Sequence, residues 1–98
     1  MAQFMIDITL PAQPNAEFFA LVPRQRAHIQ KLLDQGTITG CSLSIDRSKF
    51  WVTLNALDEE EAAQIVRAFP LFRYFDLTIH PLMFHDSPFP SLLKVSLN

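Results

Sequence analysis

The chain has 98 residues, a formal net charge of −2 at pH 7 and 49% hydrophobic residues, with nine phenylalanines. This length predicts one domain, and the absence of a basic cluster interleaved with aromatic residues argues against a nucleic-acid partner. A core this small needs less apolar surface than the chain supplies, so we expect a partner subunit to cover part of it in a homo-oligomer.

The first predicted elements are a strand and a long helix. Residues 3–10 alternate between apolar and polar side chains, which is typical of a half-buried strand. The chain enters this strand without a basic leader or a long apolar run, so we predict no signal peptide, no membrane span and a cytoplasmic location. Asn15 is a candidate N-cap of a helix that runs to about Gln35, and Gly36 suits the left-handed position beyond it.

The long helix has one apolar stripe that should face the sheet. Its members recur with helical spacing: Phe18, Leu21, Val22, Ile29, Leu32 and Leu33. Gln25 is in phase with this stripe and should point inward. Pro23 interrupts the helix and predicts a kink there, with a second helix beginning at Pro23 as the alternative.

A hairpin, a second helix and a last strand follow. Residues 37–46 and 50–55 alternate on either side of a polar turn, which predicts the hairpin. Cys41 lies in its first strand with no basic neighbour in sequence, so we expect a buried structural thiol. Asp58 and Glu61 match the start of a helix that ends before Pro70, and residues 75–80 alternate as a strand.

The order strand, helix, strand, strand, helix, strand predicts a ferredoxin-like α+β fold with two helices on one face of a four-stranded antiparallel sheet. We assign residues 1–86 to this domain and residues 87–98 to an extended C-terminal tail. The tail is apolar enough that we expect it to dock on a neighbouring subunit; packing on its own domain is the equal alternative.

Residues 69–82 resemble the C-terminal signature of the muconolactone isomerase family, in which Leu-Pro-Leu-Phe-Pro-Tyr-Met-Asp precedes an alternating strand. The matching positions are Pro70, Leu71, Phe72, Tyr74 and Asp76, and the departures are Arg73 and Phe75. The similarity extends over about residues 3–86. It implies ferredoxin-like subunits that pair sheet to sheet as dimeric α/β barrels, and a cofactor-free proton shift within a small unsaturated lactone.

The resemblance also implies an active site between the long helix and the sheet, and here the chain departs from the family. The family's helix carboxylate, its candidate proton carrier, aligns with Gln25, and its strand arginine aligns with Leu43. An amide cannot take up and return a proton at neutral pH. Loss of the arginine removes a fixed cation for the lactone carboxylate. Both changes argue against the parent reaction.

Several side chains are candidates for the site. Gln25 is either a ligand-orienting donor or a core amide satisfied by backbone or water. His28, one turn on, is the candidate general base, against a half-solvated position on the helix flank. Tyr74 could donate a hydrogen bond to a ligand or serve only in packing.

The sheet face away from the helices supplies further candidates. Asp76 and Trp51 are predicted there as ligand contacts, and Asp76 or Asp7 near His80 could form an acid–base pair; interfacial or solvated polar groups are the alternative. The spacing of His80, His85 and Asp86 matches no known metal motif, so we predict no metal.

Three hypotheses follow for function. The chain is a cofactor-free isomerase of a small unsaturated lactone or cyclic acid, a catalytically inactive protein that binds such a ligand, or an oligomeric interaction module. Fold alone does not choose between them.

Overall fold

The computed structural model describes residues 1–83, so the predicted tail at residues 87–98 lies outside the described residues. The elements in chain order are β1 (Ala2–Thr9), α1 (Ala16–Asp34), β2 (Ile38–Leu43), β3 (Lys49–Ala56), α2 (Glu59–Arg67), a 3₁₀ turn (Phe72–Tyr74) and β4 (Asp76–Leu82). The strands form one antiparallel sheet in the order β2-β3-β1-β4. This confirms the predicted ferredoxin-like order, while the predicted homo-oligomer stays a prediction.

Side-chain caps determine where both helices begin. The Asn15 side chain accepts a hydrogen bond from the Phe18 N–H at 2.8 Å, and the Asp58 carboxylate accepts one from the Glu61 N–H at 2.9 Å. Each bond satisfies an amide that has no partner inside its helix. Gly36 follows α1 with a φ of 77°, in the left-handed region where glycine has no steric cost. The predicted ends of α1 are therefore confirmed.

Pro23 lies inside α1 without dividing it. The helix is one element from Ala16 to Asp34, so the alternative of a second helix starting at Pro23 is wrong. Proline removes one backbone donor from the helix interior, and that loss is tolerated here because the helix packs on the sheet.

The core lies between the two helices and one face of the sheet. It is built from alternate residues of the central strands together with residues of both helices and their flanks: Phe4, Ile6, Ile8, Val52, Leu54, Ala56, Ile29, Ile38, Ala62, Val66 and Phe69. Burying such side chains contributes about 1.5–3 kcal/mol each. Both helices reach the same cluster, which places them on one face of the sheet as predicted.

The edge strand β2 contains an irregularity that decides which residues face the helices. Its register on β3 shifts between Ile38 and Gly40, and the Thr39 hydroxyl donates to the Thr53 hydroxyl oxygen at 2.9 Å. A β-bulge of this kind reverses the side-chain alternation beyond it. Ile38 is buried in the core, and Cys41, three residues later, still faces the helix side opposite Val52.

The other face of the sheet is polar and half-exposed. Lys49 Nζ lies 2.8 Å from Asp7 Oδ1 across the β1–β3 pair. The hydrogen bond from Lys49 lowers the pKa of the Asp7 carboxyl, with smaller contributions from the charge of Lys49 and from His80 and Trp51, against a raising effect of burial.

Across residues 1–83, neither helix is long and apolar enough to cross a bilayer.

Candidate functional site

A groove of about 650 Å³ lies between α1 and the helix-facing side of the sheet. Its walls come from the end of β1, the exposed edge of α1, strands β2 and β3, and the segment before β4. The residues that line it are Leu10, Phe18, Phe19, Val22, Gln25, Arg26, Ile29, Gln30, Leu33, Cys41, Leu43, Arg47, Phe50, Leu71 and Phe75. Ligand sites in proteins have volumes of about 300–1,000 Å³ and walls that are mostly apolar with a few placed polar groups. The groove matches this description.

Gln25 is the buried polar side chain of the groove. Its helical phase with Phe18 and Ile29 points it at the sheet, and only 6% of its surface is exposed. Gln25 Oε1 accepts a hydrogen bond from the Leu71 N–H at 3.0 Å, which joins α1 to the segment before β4. The prediction that this amide faces inward is confirmed.

The other end of the same amide has no partner within the part of the chain that the structure describes. Gln25 Nε2 is buried and finds no acceptor among residues 1–83. The bond to Leu71 determines which end of the amide is the oxygen, so the unpaired group is the NH₂ donor. A buried donor without an acceptor costs about 1–3 kcal/mol.

Two guanidinium groups contribute positive charge to the groove. Arg26 comes from the exposed edge of α1 and Arg47 from the turn between β2 and β3. That turn is held by Asp46 Oδ1, which accepts bonds from the Ser48 hydroxyl, the Ser44 hydroxyl and the Ser48 N–H at 2.7, 2.7 and 3.0 Å. These bonds lower the pKa of Asp46 to about 2. Arg47 has a φ of 61°, inside the turn that Asp46 stabilises.

The titratable side chains that line the groove within residues 1–83 are Arg26, Cys41 and Arg47. None is a carboxylate or an imidazole, which are the usual general acids and bases at neutral pH. Over the same residues, no three His, Cys, Asp or Glu side chains converge to hold a metal ion.

Cys41 corrects one of our predictions. The expected buried thiol is exposed, and it forms part of the groove wall. The strand assignment was right, but β2 is the edge strand of the sheet, and its helix-facing side opens into the groove instead of lying under a helix.

His28 does not line the groove. Its ring packs edge-on against Phe69, with centroids 5.8 Å apart, and its Nε2 is buried without a hydrogen-bond partner within residues 1–83. The structure therefore separates His28 from the groove face of Gln25, and a role as general base stays a prediction.

Tyr74 packs against Phe18, a residue of the groove wall. Its ring meets that of Phe18 edge to face with centroids 5.4 Å apart, and Arg73 donates to its hydroxyl at 3.3 Å. Arg73 also pairs with Glu17 at the start of α1. Tyr74 thus packs against a residue that lines the groove, while direct contact with a ligand stays a prediction.

Trp51 and Asp76 lie on the other side of the sheet. In the register of the sheet, Trp51 of β3 lies opposite Asp7 of β1 and Ser42 of β2. Asp76 is exposed at the start of β4, opposite Thr9 of β1. The structure does not bring them together with Gln25, and their assignment as ligand contacts stays a prediction.

Sequence reasoning did not assign the charged rim of the groove. No local pattern in the sequence shows that Arg26, on the long helix, and Arg47, in the turn between β2 and β3, border one cavity. The only available signal was that a ferredoxin-like order places the β2–β3 turn and the exposed edge of α1 near each other.

Comparison with known proteins agrees with this architecture. The family model described as muconolactone delta-isomerase matches residues 3–88. The chain belongs to this family. The predicted resemblance, drawn from residues 69–82, is thereby confirmed.

Two solved structures share the fold of this muconolactone delta-isomerase family member. A muconolactone isomerase structure superposes with a TM-score of 0.70 at 22% identity, covering 87% of this chain and 92% of that one. A 5-chloro-2-hydroxyhydroquinone dehydrochlorinase from Burkholderia phenoliruptrix AC1100, solved with 2,5-dihydroxybenzoquinone, superposes with a TM-score of 0.60 at 14% identity, covering 85% of this chain and 95% of that one. No protein of curated function matches the sequence.

Proposed function

We propose that this chain binds a small, partly apolar cyclic acid or lactone in the groove between α1 and the sheet, with the Gln25 amide as the hydrogen-bond donor that orients it. The observation that carries the proposal is the buried Gln25 Nε2, which lacks an acceptor within residues 1–83 and belongs to a residue lining the groove. Because Nε2 has almost no accessible surface, the side chain would have to turn toward the groove, where a carbonyl or carboxylate oxygen of a ligand would supply the missing acceptor.

The remaining walls favour the same class of ligand. Phe19, Leu43 and Phe50 offer apolar surface to a ring, and Phe19 and Leu43 are 58% and 54% exposed. Arg26 and Arg47 provide positive charge for an anionic group, and guanidinium is well suited to bind a carboxylate. The two relatives are named for reactions of a lactone and a hydroxylated ring, which are ligands of this size and polarity.

The same walls favour binding over the family's proton transfer. Position 25 is an amide where the resemblance to the family implies a carboxylate, and the groove walls within residues 1–83 carry no carboxylate or imidazole. General acid–base catalysis is usually worth about 10²–10⁴-fold in rate, and it requires a titratable group within reach of the substrate.

A cofactor-free isomerase with an altered site is the second candidate, and family membership favours it. It requires His28 or another titratable group to reach the ligand. Because the His28 ring packs on Phe69, that reaction would need a side-chain rearrangement.

Calorimetric titration with muconolactone tests the proposal. We expect saturable binding by the wild type and about tenfold weaker binding by Gln25→Leu, the loss of one hydrogen bond of roughly 1.4 kcal/mol. Gln64→Leu, the same substitution on an exposed position of α2, is the matched control and should bind like the wild type. Circular dichroism must show that both variants are folded, because Gln25→Leu also removes the acceptor for the Leu71 N–H.

Two results would contradict the proposal. One is the absence of saturable binding by the folded wild type. The other is an equal affinity of the wild type, Gln25→Leu and Gln64→Leu.

A further inference from the structure

The turn between β2 and β3 holds Arg47 in a backbone conformation that arginine rarely adopts. Its φ is 61°, and among residues 1–83 it is the only residue other than glycine with a positive φ. Its N–H donates to the Ser44 carbonyl oxygen at 3.0 Å, which closes the turn. A side chain with a Cβ is strained in the left-handed region, and hairpin turns therefore favour glycine there. Glycine would make this turn more stable than arginine does.

The Arg47 guanidinium has no carboxylate partner within the part of the chain that the structure describes. The two ion pairs within residues 1–83 join other residues: Lys49 with Asp7, and Arg73 with Glu17. The neighbouring Asp46 accepts its hydrogen bonds from Ser44 and Ser48 inside the turn. Arg47 is exposed and lines the groove. Neither turn stability nor an ion pair among these residues accounts for an arginine at this position.

We propose that Arg47 is the specificity-determining residue of the groove and selects rings that carry a carboxylate over neutral rings of the same shape. The inference rests on the proposed function, since it uses the same groove, and it names the group that the ligand must carry. A guanidinium presents planar N–H donors that match both oxygens of a carboxylate. Strained backbone conformations are concentrated at ligand sites, and here the strained residue brings a cation to a mostly apolar cavity.

The surroundings of Arg47 strengthen its preference for an anion. Arg26 also lines the groove, and within residues 1–83 no carboxylate does, so a ligand carboxylate meets positive charge without a competing negative one. Leu43 and Phe50 line the same groove, and apolar walls weaken the screening of a charge pair by water. The hydrogen bonds of Asp46 hold the turn in place, so binding does not have to order a flexible loop.

Calorimetric titration of the full chain with benzoate and with methyl benzoate tests the proposal. The two probes share one ring and differ in charge. Arg47→Gly removes the guanidinium and suits the left-handed position. Arg67→Gly is the matched control, because it removes the same charge from an exposed residue at the end of α2 that does not line the groove. Urea unfolding followed by circular dichroism shows that each variant is folded and measures its stability.

We expect the wild type and Arg67→Gly to bind benzoate about tenfold more tightly than methyl benzoate, and Arg47→Gly to bring this ratio close to one. The midpoint of urea unfolding should rise in Arg47→Gly, because glycine relieves the strain at this position. Binding and stability would then change in opposite directions, which a purely structural role of Arg47 does not produce.

Three results would overturn the proposal. One is the absence of saturable benzoate binding by the folded wild type. Another is a preference for benzoate that Arg47→Gly leaves unchanged or that Arg67→Gly lowers equally. The third is a lower unfolding midpoint for Arg47→Gly, which would show that arginine is present for the stability of its own turn.

The outcomes separate this inference from the proposed function. Saturable, Gln25-dependent binding of muconolactone without an Arg47-dependent preference for benzoate would remove only the inference. An Arg47-dependent preference for benzoate that persists in Gln25→Leu, in a protein that does not bind muconolactone, would remove the proposed role of the amide and leave the inference in place.

Discussion

Gln25→Glu is expected to exchange the muconolactone proton alpha to the carboxyl group with D₂O about 10²–10⁴ times faster than the wild type. The substitution places a titratable group where the resemblance to the family implies a carboxylate. One carboxylate oxygen can keep the bond from the Leu71 N–H, which the Gln25 oxygen now accepts at 3.0 Å. The second oxygen then takes the place of the unpaired Nε2.

The expected increase in the rate of proton exchange depends on the surroundings of position 25. Burial opposes ionisation and raises the pKa of a carboxyl group, which moves it toward the range in which general bases work at neutral pH. Gln25→Met is the matched control, because methionine has a similar length and no titratable group. Proton NMR of the ligand in D₂O measures the exchange for all three proteins.

Two outcomes would contradict this account. If Gln25→Glu and Gln25→Met exchange at the same rate, position 25 does not face the reacting carbon. If the wild type already exchanges rapidly and loses that rate in His28→Ala, the isomerase hypothesis gains support at the expense of the binding proposal.

Leu54→Ala is expected to lower the free energy of unfolding by about 2–5 kcal/mol. Leu54 has no exposed surface and lies on β3, between Phe4 of β1 and Ile38 of β2 in the register of the sheet. Truncation removes apolar contacts and leaves a cavity that strands paired on both sides cannot easily close. The loss is a large share of the roughly 5–15 kcal/mol that stabilises a domain.

Leu57→Ala is the control for this measurement. Leu57 is 69% exposed and lies three residues further along the chain, so its truncation should change the free energy of unfolding by no more than about 0.5 kcal/mol. Urea denaturation followed by far-UV circular dichroism measures both variants. Equal losses in the two variants would show that β3 is not the centre of the core.

The order of elements was predictable because its signals are local. Asn15 and Gly36 mark the ends of α1, and Asp58 marks the start of α2, through side-chain and backbone chemistry that acts within a few residues. The inward orientation of Gln25 followed from helical spacing, which depends only on α1 itself.

The bulge at Thr39 was not predictable in the same way. Strict alternation from residue 37 misses the burial of Ile38, because the reversal of faces depends on the pairing of β2 with β3. The exposure of Cys41 has a similar origin, since it depends on β2 being an edge strand that faces the groove. Local alternation identifies a face of a strand but not what covers that face.

The partner of Gln25 was equally hidden from sequence reasoning. Leu71 is 46 positions away, and its N–H reaches the amide only because the chain turns before β4. The same long-range geometry places Arg47 at the groove and the ring of His28 against Phe69. Candidate residues were therefore predictable by type, while their grouping required the fold.

The most direct test of the groove is a titration of ¹⁵N-labelled protein with muconolactone. NMR then follows the backbone amides, the side-chain amides and the Trp51 indole. We expect the Gln25 NH₂ resonances to shift saturably, together with the Leu71 backbone amide, while the Trp51 indole on the other face of the sheet stays unchanged. Saturable shifts at Trp51 and His80 with none at Gln25 would place the ligand on the opposite face and contradict the account.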